Sequence, residues 1–311
     1  MIIELLLIVV GIAVVLWGAD RFTDGACGLA RRLNVSELVI GLTVVALGTS
    51  LPEFMVSFMS VLRGSSDMSV GNIIGSNVFN ALVILGASAL MRPLIIESSL
   101  LKRDLPICVV VSALLVAFAY SGGVIARWEG LVFVALFCAY LYMAYRIAKK
   151  DRKAQTQGSQ GEEKSIWYSV LLILAGGAAL VIGGRVLVNN AAEVAREWGV
   201  SESVIGMTIL AAGTSLPELA TSVVAARKGS MGLAFGNVIG SNVFNIAFVI
   251  GTCSSIVPMP VTEIVMVDWI MLVGSCILLW LVAWTRRKIC RWEGTLLVLC
   301  YLTYLISLLI K

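Results

Sequence analysis

The chain contains no histidine, and it has few charged residues for its length. Of 311 residues, 14% are Asp, Glu, Lys or Arg, against roughly 25% in soluble domains. The absence of histidine excludes Ser-His-Asp catalysis and histidine-based metal sites. None of the seven cysteines lies in a C-x-x-C pair, so we interpret them as small packing residues rather than as metal ligands. These absences argue against an enzyme.

Long apolar runs dominate what is present. Hydrophobic residues make up 59% of the sequence, and a transmembrane helix needs about 20 predominantly apolar residues. The sequence therefore predicts an all-α integral membrane protein with ten transmembrane helices. The predicted runs lie near residues 2–22, 35–62, 68–91, 104–121, 126–147, 166–190, 200–226, 232–252, 266–285 and 291–310.

The basic residues indicate how the helices are oriented. With the N-terminus outside, most of the 23 Lys and Arg residues fall in cytoplasmic segments, as the positive-inside rule requires. We therefore predict a multi-pass protein of the plasma (inner) membrane with both termini outside and the polar segment 148–165 in the cytoplasm. Topology accounts for the basic residues, so no nucleic-acid partner is indicated. The expected surroundings are the lipid bilayer, and no obligatory protein partner is evident.

The two halves of the chain repeat one another. A shift of 165 positions superimposes residues 41–53 on 206–218, and it superimposes residues 71–80 on 236–245. Such repetition assigns five spans to each half. Because five is odd, the second half enters the membrane in the opposite orientation, which is the inverted-topology repeat of secondary transporters.

The repeat also sets the predicted domain boundaries. Residues 1–147 form the first five-helix repeat, residues 148–165 the cytoplasmic linker, and residues 166–311 the second five-helix repeat. In transporters of this design the substrate site lies near the membrane midplane, where broken helices of the two halves meet.

One repeated stretch places a glutamate in the middle of a span. Residues 48–53 read Gly-Thr-Ser-Leu-Pro-Glu, and residues 213–218 repeat them. A carboxylate at that depth costs at least ~2.5–3.5 kcal/mol on insertion scales and usually faces the bundle interior or a cavity. The stretch also fits a helix capping box, S-x-x-E with proline in the first turn. We expect both, because a cap that interrupts the helix also exposes backbone carbonyls next to Glu53 and Glu218.

The residues around these glutamates suit a hard cation. Calcium takes about six to eight oxygen ligands from carboxylates, carbonyls, amides and water. Pro52 and Pro217 lack an N–H, so each helps to release a carbonyl of the preceding turn. No soft ligand is present, so zinc or copper is not expected. The hydroxyls beside the two glutamates are those of Thr49, Ser50, Thr214 and Ser215.

A second repeated stretch adds uncharged oxygens. Ser76 and Asn80 are four residues apart and share a helix face, as do Ser241 and Asn245. Their hydroxyl and amide oxygens can complete a cation shell without adding charge. The asparagine that directly follows each serine lies off that face, and we expect it to hydrogen-bond the broken backbone. The glycines of the stretch form small-xxx-small patterns, which are typical of close helix packing.

The paired stretches resemble those of the calcium/cation antiporter superfamily, and within it the bacterial sodium/calcium exchanger branch. The resemblance rests on two G-T-S-L-P-E and two G-N-x-x-G-S-N-V-F-N motifs, and its arrangement extends over nearly the whole chain. It implies ten helices in two inverted halves. The second, third, seventh and eighth helices would pack around the ions, while the first and sixth would slide during alternating access. The ligands that it implies are Ala46, Thr49, Ser50, Glu53, Ser76 and Asn80 in the first half and Ala211, Thr214, Ser215, Glu218, Ser241 and Asn245 in the second, with the two alanines acting through their carbonyls.

At Asn245 the chain departs from several exchangers of this type, which have an aspartate there. Both halves of this chain carry asparagine at that place, so the predicted site has two carboxylates at its centre. Two carboxylates balance one calcium or two sodium ions. The resemblance further implies a third sodium ion, which would make the exchange electrogenic.

The expected function is a secondary antiporter that extrudes calcium in exchange for sodium and uses no cofactor. The alternative is a calcium/proton antiporter in which Glu53 and Glu218 carry protons, since burial favours the neutral form of a carboxyl group. A cation channel is disfavoured, because channels build filters from rings of identical subunits and the repeat here lies within one chain. A nucleophile elbow at residues 48–50 is disfavoured, because its closing glycine and any histidine are absent.

Overall fold

The computed structural model describes residues 2–155, 165–200, 205, 209 and 211–309. These residues are helical apart from turns and four two-residue strands. The helices are α1 (Ile2–Leu33), α2 (Glu37–Thr49), α3 (Leu51–Leu62), α4 (Ser66–Met91), α5 (Leu100–Gly122), α6 (Arg127–Gln155), α7 (Ile166–Glu197), α8 (Ala211–Thr214), α9 (Leu216–Lys228), α10 (Met231–Ile256), α11 (Met266–Arg286) and α12 (Arg291–Leu309). The strands are β1 (Leu94–Ile95), β2 (Val124–Ile125), β3 (Met259–Pro260) and β4 (Lys288–Ile289).

Several of these helices can cross a membrane. Within the described residues, seven helices are long and apolar enough by length and composition, and the bent pair α2–α3 raises the number to eight. The chain is therefore all-helical and multi-pass, as expected. The predicted run near 200–226 lies partly outside the described residues, and α12 fills the run near 291–310 without being one of the seven. The number ten stays a prediction.

Three helices extend well beyond the apolar runs that predicted them. Helix α1 continues past residue 22 to Leu33, α6 past residue 147 to Gln155, and α7 past residue 190 to Glu197. The first part of the predicted linker is therefore helical, and residues 156–164 lie outside the described part of the chain. The apolar run marks where burial in lipid ends. It does not mark where the helix ends, because Lys, Arg, Gln and Ala are good helix formers.

Helices α4 and α10 form the centre of the molecule. In their most apolar 18-residue windows, 78% of residues in α4 and 94% in α10 are buried, against 22% in α1, α6 and α7. These two helices contain the second repeated motif of each half. The serine and asparagine side chains of these motifs therefore lie in the most buried helices. Hydropathy alone predicts the opposite, because polar residues are mostly exposed.

Glycines let the helices around this centre approach closely. A Cβ built on Gly176 of α7 would lie 2.6 Å from the backbone nitrogen of Phe22 and 2.7 Å from the oxygen of Gly18, both in α1. A Cβ on Gly236 of α10 would lie 2.7 Å from the carbonyl oxygen of Leu38 in α2. Backbone-to-backbone contact of this kind is how membrane helices pack without a hydrophobic driving force between them.

Short strands connect the two halves at both ends of the bundle. Strand β1 pairs antiparallel with β4, with Leu94 opposite Ile289, and β2 pairs with β3, with Val124 opposite Pro260. The sequence repeat makes β1 the counterpart of β3 and β2 the counterpart of β4. Each ladder therefore joins one half to the other, and the two ladders are exchanged by the repeat.

Candidate functional site

The helix break predicted in each half is present, and the two breaks have the same backbone geometry. Ser50 separates α2 from α3 with φ −86° and ψ 6°, and Ser215 separates α8 from α9 with φ −89° and ψ 7°. Helices α2 and α3 meet at 47°. Proline follows in the first turn in both halves, and Glu53 and Glu218 lie in that turn as well. The break therefore places each carboxylate at a helix N-terminus, where negative charge is favoured.

The capping box predicted at these breaks does not form. Neither serine side chain caps its own helix. Instead, Ser50 Oγ donates to Glu218 Oε1 at 2.7 Å, and Ser215 Oγ donates to Glu53 Oε1 at 3.0 Å. All four side chains are fully buried. Each hydroxyl therefore bonds the glutamate of the opposite half instead of the N-terminus of its own helix.

The second oxygen of each glutamate is a buried oxygen with no hydrogen-bond partner in the described part of the chain, and among such oxygens six occupy equivalent positions in the two halves. The six come as three equivalent pairs, one member from each half. Buried polar atoms in native proteins nearly always have a partner, so an unmatched group of them indicates a missing ligand or water. They are Oε2 of Glu53 and Glu218, Oγ of Ser76 and Ser241, and Oδ1 of Asn80 and Asn245.

The two carboxylates also lack a basic partner. Among the ion pairs of the described residues, none includes Glu53 or Glu218, and both side chains are fully buried. An uncompensated charge in such a place is strongly unfavourable. A bound cation or a bound proton must therefore neutralise them. The atoms available to bind a cation here are oxygens, which are hard ligands. The described residues contain no group of three or more His, Cys, Asp or Glu side chains that could hold a metal ion.

The other predicted ligands lie at the same breaks. Thr49 is buried and donates from Oγ1 to Asn237 Oδ1 at 3.0 Å, and Thr214 ends α8 in a half-buried position. The carbonyl of Ala46 accepts from Ser50 N at 3.1 Å and from Thr49 Oγ1 at 3.5 Å. The break therefore does not free this carbonyl, and a cation there would have to share it. Ala211 opens α8.

Wide helical turns lie next to these residues. The segments Gly41–Val45 in α2, Asn80–Ile84 in α4 and Phe244–Ile250 in α10 are π-helical. Such turns are rare and occur frequently at functional sites. Here Asn80 begins one of them, and Asn245 lies inside another.

Asn72 and Asn237 belong to the site although sequence reasoning gave them no role. Asn72 Nδ2 donates to Ser57 Oγ at 3.0 Å and to the carbonyl of Glu53 at 3.5 Å. Asn237 repeats both contacts in the second half, at 2.9 Å and 3.3 Å. These amides fasten the glutamate-bearing helices to α4 and α10. The signal was present in the sequence, because Asn72 and Ser57 are both kept under the repeat shift.

Two cavities adjoin the residues of the breaks. One, of about 330 Å³, is lined by Pro52, Arg185, Thr214 and Pro217 among others. The other, of about 210 Å³, is lined by residues that include Ser76 and Asp268. The buried side chains of the site therefore have open space beside them.

Comparison with known proteins decides the family. The sequence profile of the sodium/calcium exchanger protein family matches residues 3–146 and 168–310. The chain belongs to the sodium/calcium exchanger family. Sodium/calcium exchanger MaX1 of Methanosarcina acetivorans is 32% identical to it over 345 residues, with 98% of each chain covered. Inner membrane protein YrbG of Escherichia coli strain K12 is 37% identical over 273 residues, which cover 83% of this chain and 81% of YrbG.

Solved structures of the exchanger family have the same fold. The sodium-calcium exchanger NCX_Mj, soaked with zero Na⁺ and Ca²⁺, matches this chain with a TM-score of 0.84 and 32% identity over 99% of both chains. This family member is therefore a multi-pass membrane transporter, a calcium/cation antiporter, and not an enzyme.

Proposed function

We propose that the chain extrudes calcium in exchange for sodium by alternating access at one mid-membrane site. The ligands would be the twelve residues named from the resemblance, six at equivalent positions in each half. The proposal includes ten transmembrane helices in two inverted five-helix repeats. It also places the protein in the inner membrane, with both termini outside and the segment 148–165 in the cytoplasm.

The observation that carries this proposal is the set of three equivalent pairs of buried oxygens without partners. Each pair has one member in each half, and one pair belongs to two carboxylates that no basic residue in the described part of the chain neutralises. Six hard oxygens with a formal charge of two suit a divalent calcium ion, which takes about six to eight such ligands. The reciprocal Ser50–Glu218 and Ser215–Glu53 hydrogen bonds support a site shared between the halves.

The charge balance explains why exchange would be obligatory. One calcium ion or two sodium ions neutralise Glu53 and Glu218, and both cations compete for the same oxygens. An occupied site is neutral and can change its exposure from one side of the membrane to the other. An empty or half-neutralised site keeps a buried charge, which costs several kcal/mol or more, so it resists that step.

The experiment is uptake of radiolabelled calcium into inside-out vesicles loaded with sodium and diluted into sodium-free medium. We expect Glu53→Gln and Glu218→Gln each to lower uptake by roughly 100-fold or more, because breaking a buried charge interaction costs about 3–5 kcal/mol. Glu193→Gln is the matched control. Glu193 is an exposed glutamate of α7 that pairs with Arg196, so its loss should leave uptake unchanged.

Two outcomes would contradict parts of the proposal. Uptake that survives either glutamate substitution would remove that residue from the site. Uptake driven by a pH gradient in the absence of sodium would instead favour the calcium/proton antiporter, because a proton can also neutralise each carboxylate.

A further inference from the structure

Four asparagines form a closed set of hydrogen bonds between α4 and α10. We call Asn77, Asn80, Asn242 and Asn245 the asparagine frame. Asn77 Nδ2 donates to the backbone carbonyl of Asn242 at 3.1 Å, and Asn242 Nδ2 donates to the carbonyl of Asn77 at 3.3 Å. The sequence predicted that these two amides would bond the broken backbone. They bond the opposite central helix instead, because α4 and α10 lie against each other at this point.

The frame continues to the two predicted ligands. Asn245 Nδ2 donates to Asn77 Oδ1 at 3.0 Å, and Asn80 Nδ2 donates to Asn242 Oδ1 at 3.0 Å. All four side chains are buried, with at most 1% of their surface exposed. After these bonds, Oδ1 of Asn80 and Oδ1 of Asn245 remain without a partner among the described residues.

The orientation of each amide follows from a backbone carbonyl that can only accept. Because Asn242 O faces Asn77, the amide nitrogen of Asn77 must point toward it, and Asn77 Oδ1 must point the other way. That oxygen needs a donor, so Asn245 must present its nitrogen. The oxygen of Asn245 is then left facing away from the frame. In the same way, the carbonyl of Asn77 orients the amide of Asn242, and Oδ1 of Asn242 then orients the amide of Asn80.

We propose that Asn77 and Asn242 are positioning residues that orient Oδ1 of Asn245 and Asn80 toward the transported cation. The inference rests on the proposed function, because it assumes that these two oxygens are ligands. Without its frame partner, an amide can turn by 180° and present its NH₂ group, which repels a cation. The frame thus removes an orientation that would block binding.

The asparagine frame predicts which residue orients which ligand, whereas a general role in stability predicts no such pairs. Asn77 acts on Asn245, which lies in the other half, and has no frame hydrogen bond to Asn80, three residues away on its own helix. Asn242 likewise acts on Asn80. Energetic coupling between two residues is detected by comparing single and double substitutions, and it commonly reaches about 0.5–3 kcal/mol for residues in one network.

The test is a pair of double-mutant cycles on the half-saturating calcium concentration for sodium-driven uptake. We expect Asn77→Ala to raise that concentration on the order of tenfold in the unsubstituted protein and in the Asn80→Ala background. In the Asn245→Ala background it should have little further effect, because the oxygen that it orients is already absent. The mirror cycle pairs Asn242→Ala with Asn80→Ala. Asn190→Ala is the matched control, because Asn190 Nδ2 donates to Val186 O within its own helix α7.

A second variant separates positioning from folding. Asn77→Ser adds no charge to the site and keeps a hydroxyl oxygen that can accept from Asn245, so it should bind calcium more tightly than Asn77→Ala. Calcium binding to the purified protein by isothermal titration gives the same comparison without transport.

The outcomes distinguish this inference from the proposed function. Equal effects of Asn77→Ala in the Asn80→Ala and Asn245→Ala backgrounds would overturn the positioning role. So would a change in maximal rate alone with no change in half-saturation. If the glutamate substitutions abolish uptake while the asparagine cycles are additive, the function stands and only the frame is wrong. If the protein neither transports nor binds calcium, both fall.

Discussion

The contact between α1 and α7 provides a prediction that depends on three glycines of one helix. Gly176, Gly177 and Gly184 all lie in α7, and each gains only a methyl group when changed to alanine. A Cβ on Gly176 would meet backbone atoms of Phe22 and Gly18 at 2.6 Å and 2.7 Å. On Gly177 it would meet the side chain of Phe22 at 3.5 Å, and on Gly184 it would meet no described atom within 4 Å.

The expected effects follow from what each methyl group would touch. At Gly176 the shortest contact is 0.8 Å under the 3.4 Å at which ordinary contact begins, and backbone atoms cannot rotate away. Overpacking of this kind typically costs about 1–3 kcal/mol. Alanine also gains about 1 kcal/mol over glycine in helix propensity. We therefore expect Gly176→Ala to be destabilising by up to about 2 kcal/mol, Gly177→Ala near neutral, and Gly184→Ala neutral or stabilising.

The assay is thermal unfolding of the purified protein in detergent, with all variants measured at one scan rate because the midpoint depends on it. Gly176→Ala should unfold several degrees below Gly184→Ala. The two variants carry the same chemical change in the same helix, so differences in propensity cancel. Equal midpoints would refute the close approach of α1 and α7 and the packing described for them.

Three further predictions concern hydrogen bonds and ion pairs. Ser50→Ala and Ser215→Ala should each raise the half-saturating calcium concentration by a similar factor, roughly tenfold, because each removes one hydrogen bond to a carboxylate of the other half. Unequal factors would contradict a shared site. Lys228→Gln removes two contacts of 2.7 Å and 2.6 Å to aspartates of α1, and because these groups are partly exposed the loss should stay below about 1 kcal/mol and vanish at high salt. Asp67→Ala removes the acceptors of three donors in the loop after β3 and should increase proteolysis there. Glu263→Gln, in the same loop, should not.

Local sequence pattern was sufficient where the physical cause is local. Apolar runs located the helices because a long apolar segment in a membrane must satisfy its own backbone hydrogen bonds, which a helix does. The Pro-Glu pair in the first turn after Ser50 and Ser215 predicted both breaks, and the breaks have matching backbone angles. Helix α6 itself continues beyond the predicted boundary at residue 147, as far as Gln155, because Lys, Arg, Gln and Ala are good helix formers.

The sequence by itself determined the twofold duplication, the broken helices and the kinds of oxygen available to a cation. Only the tertiary structure decided the partners, and it assigned them across the halves. Ser50 donates to Glu218 instead of capping its own helix, and Asn77 donates to the carbonyl of Asn242 instead of bonding the broken backbone. The reason is physical: a buried hydroxyl or amide needs an acceptor within hydrogen-bond distance, and the packing of the two halves supplies it. In this fold that acceptor belongs to a residue more than 160 positions away in the chain.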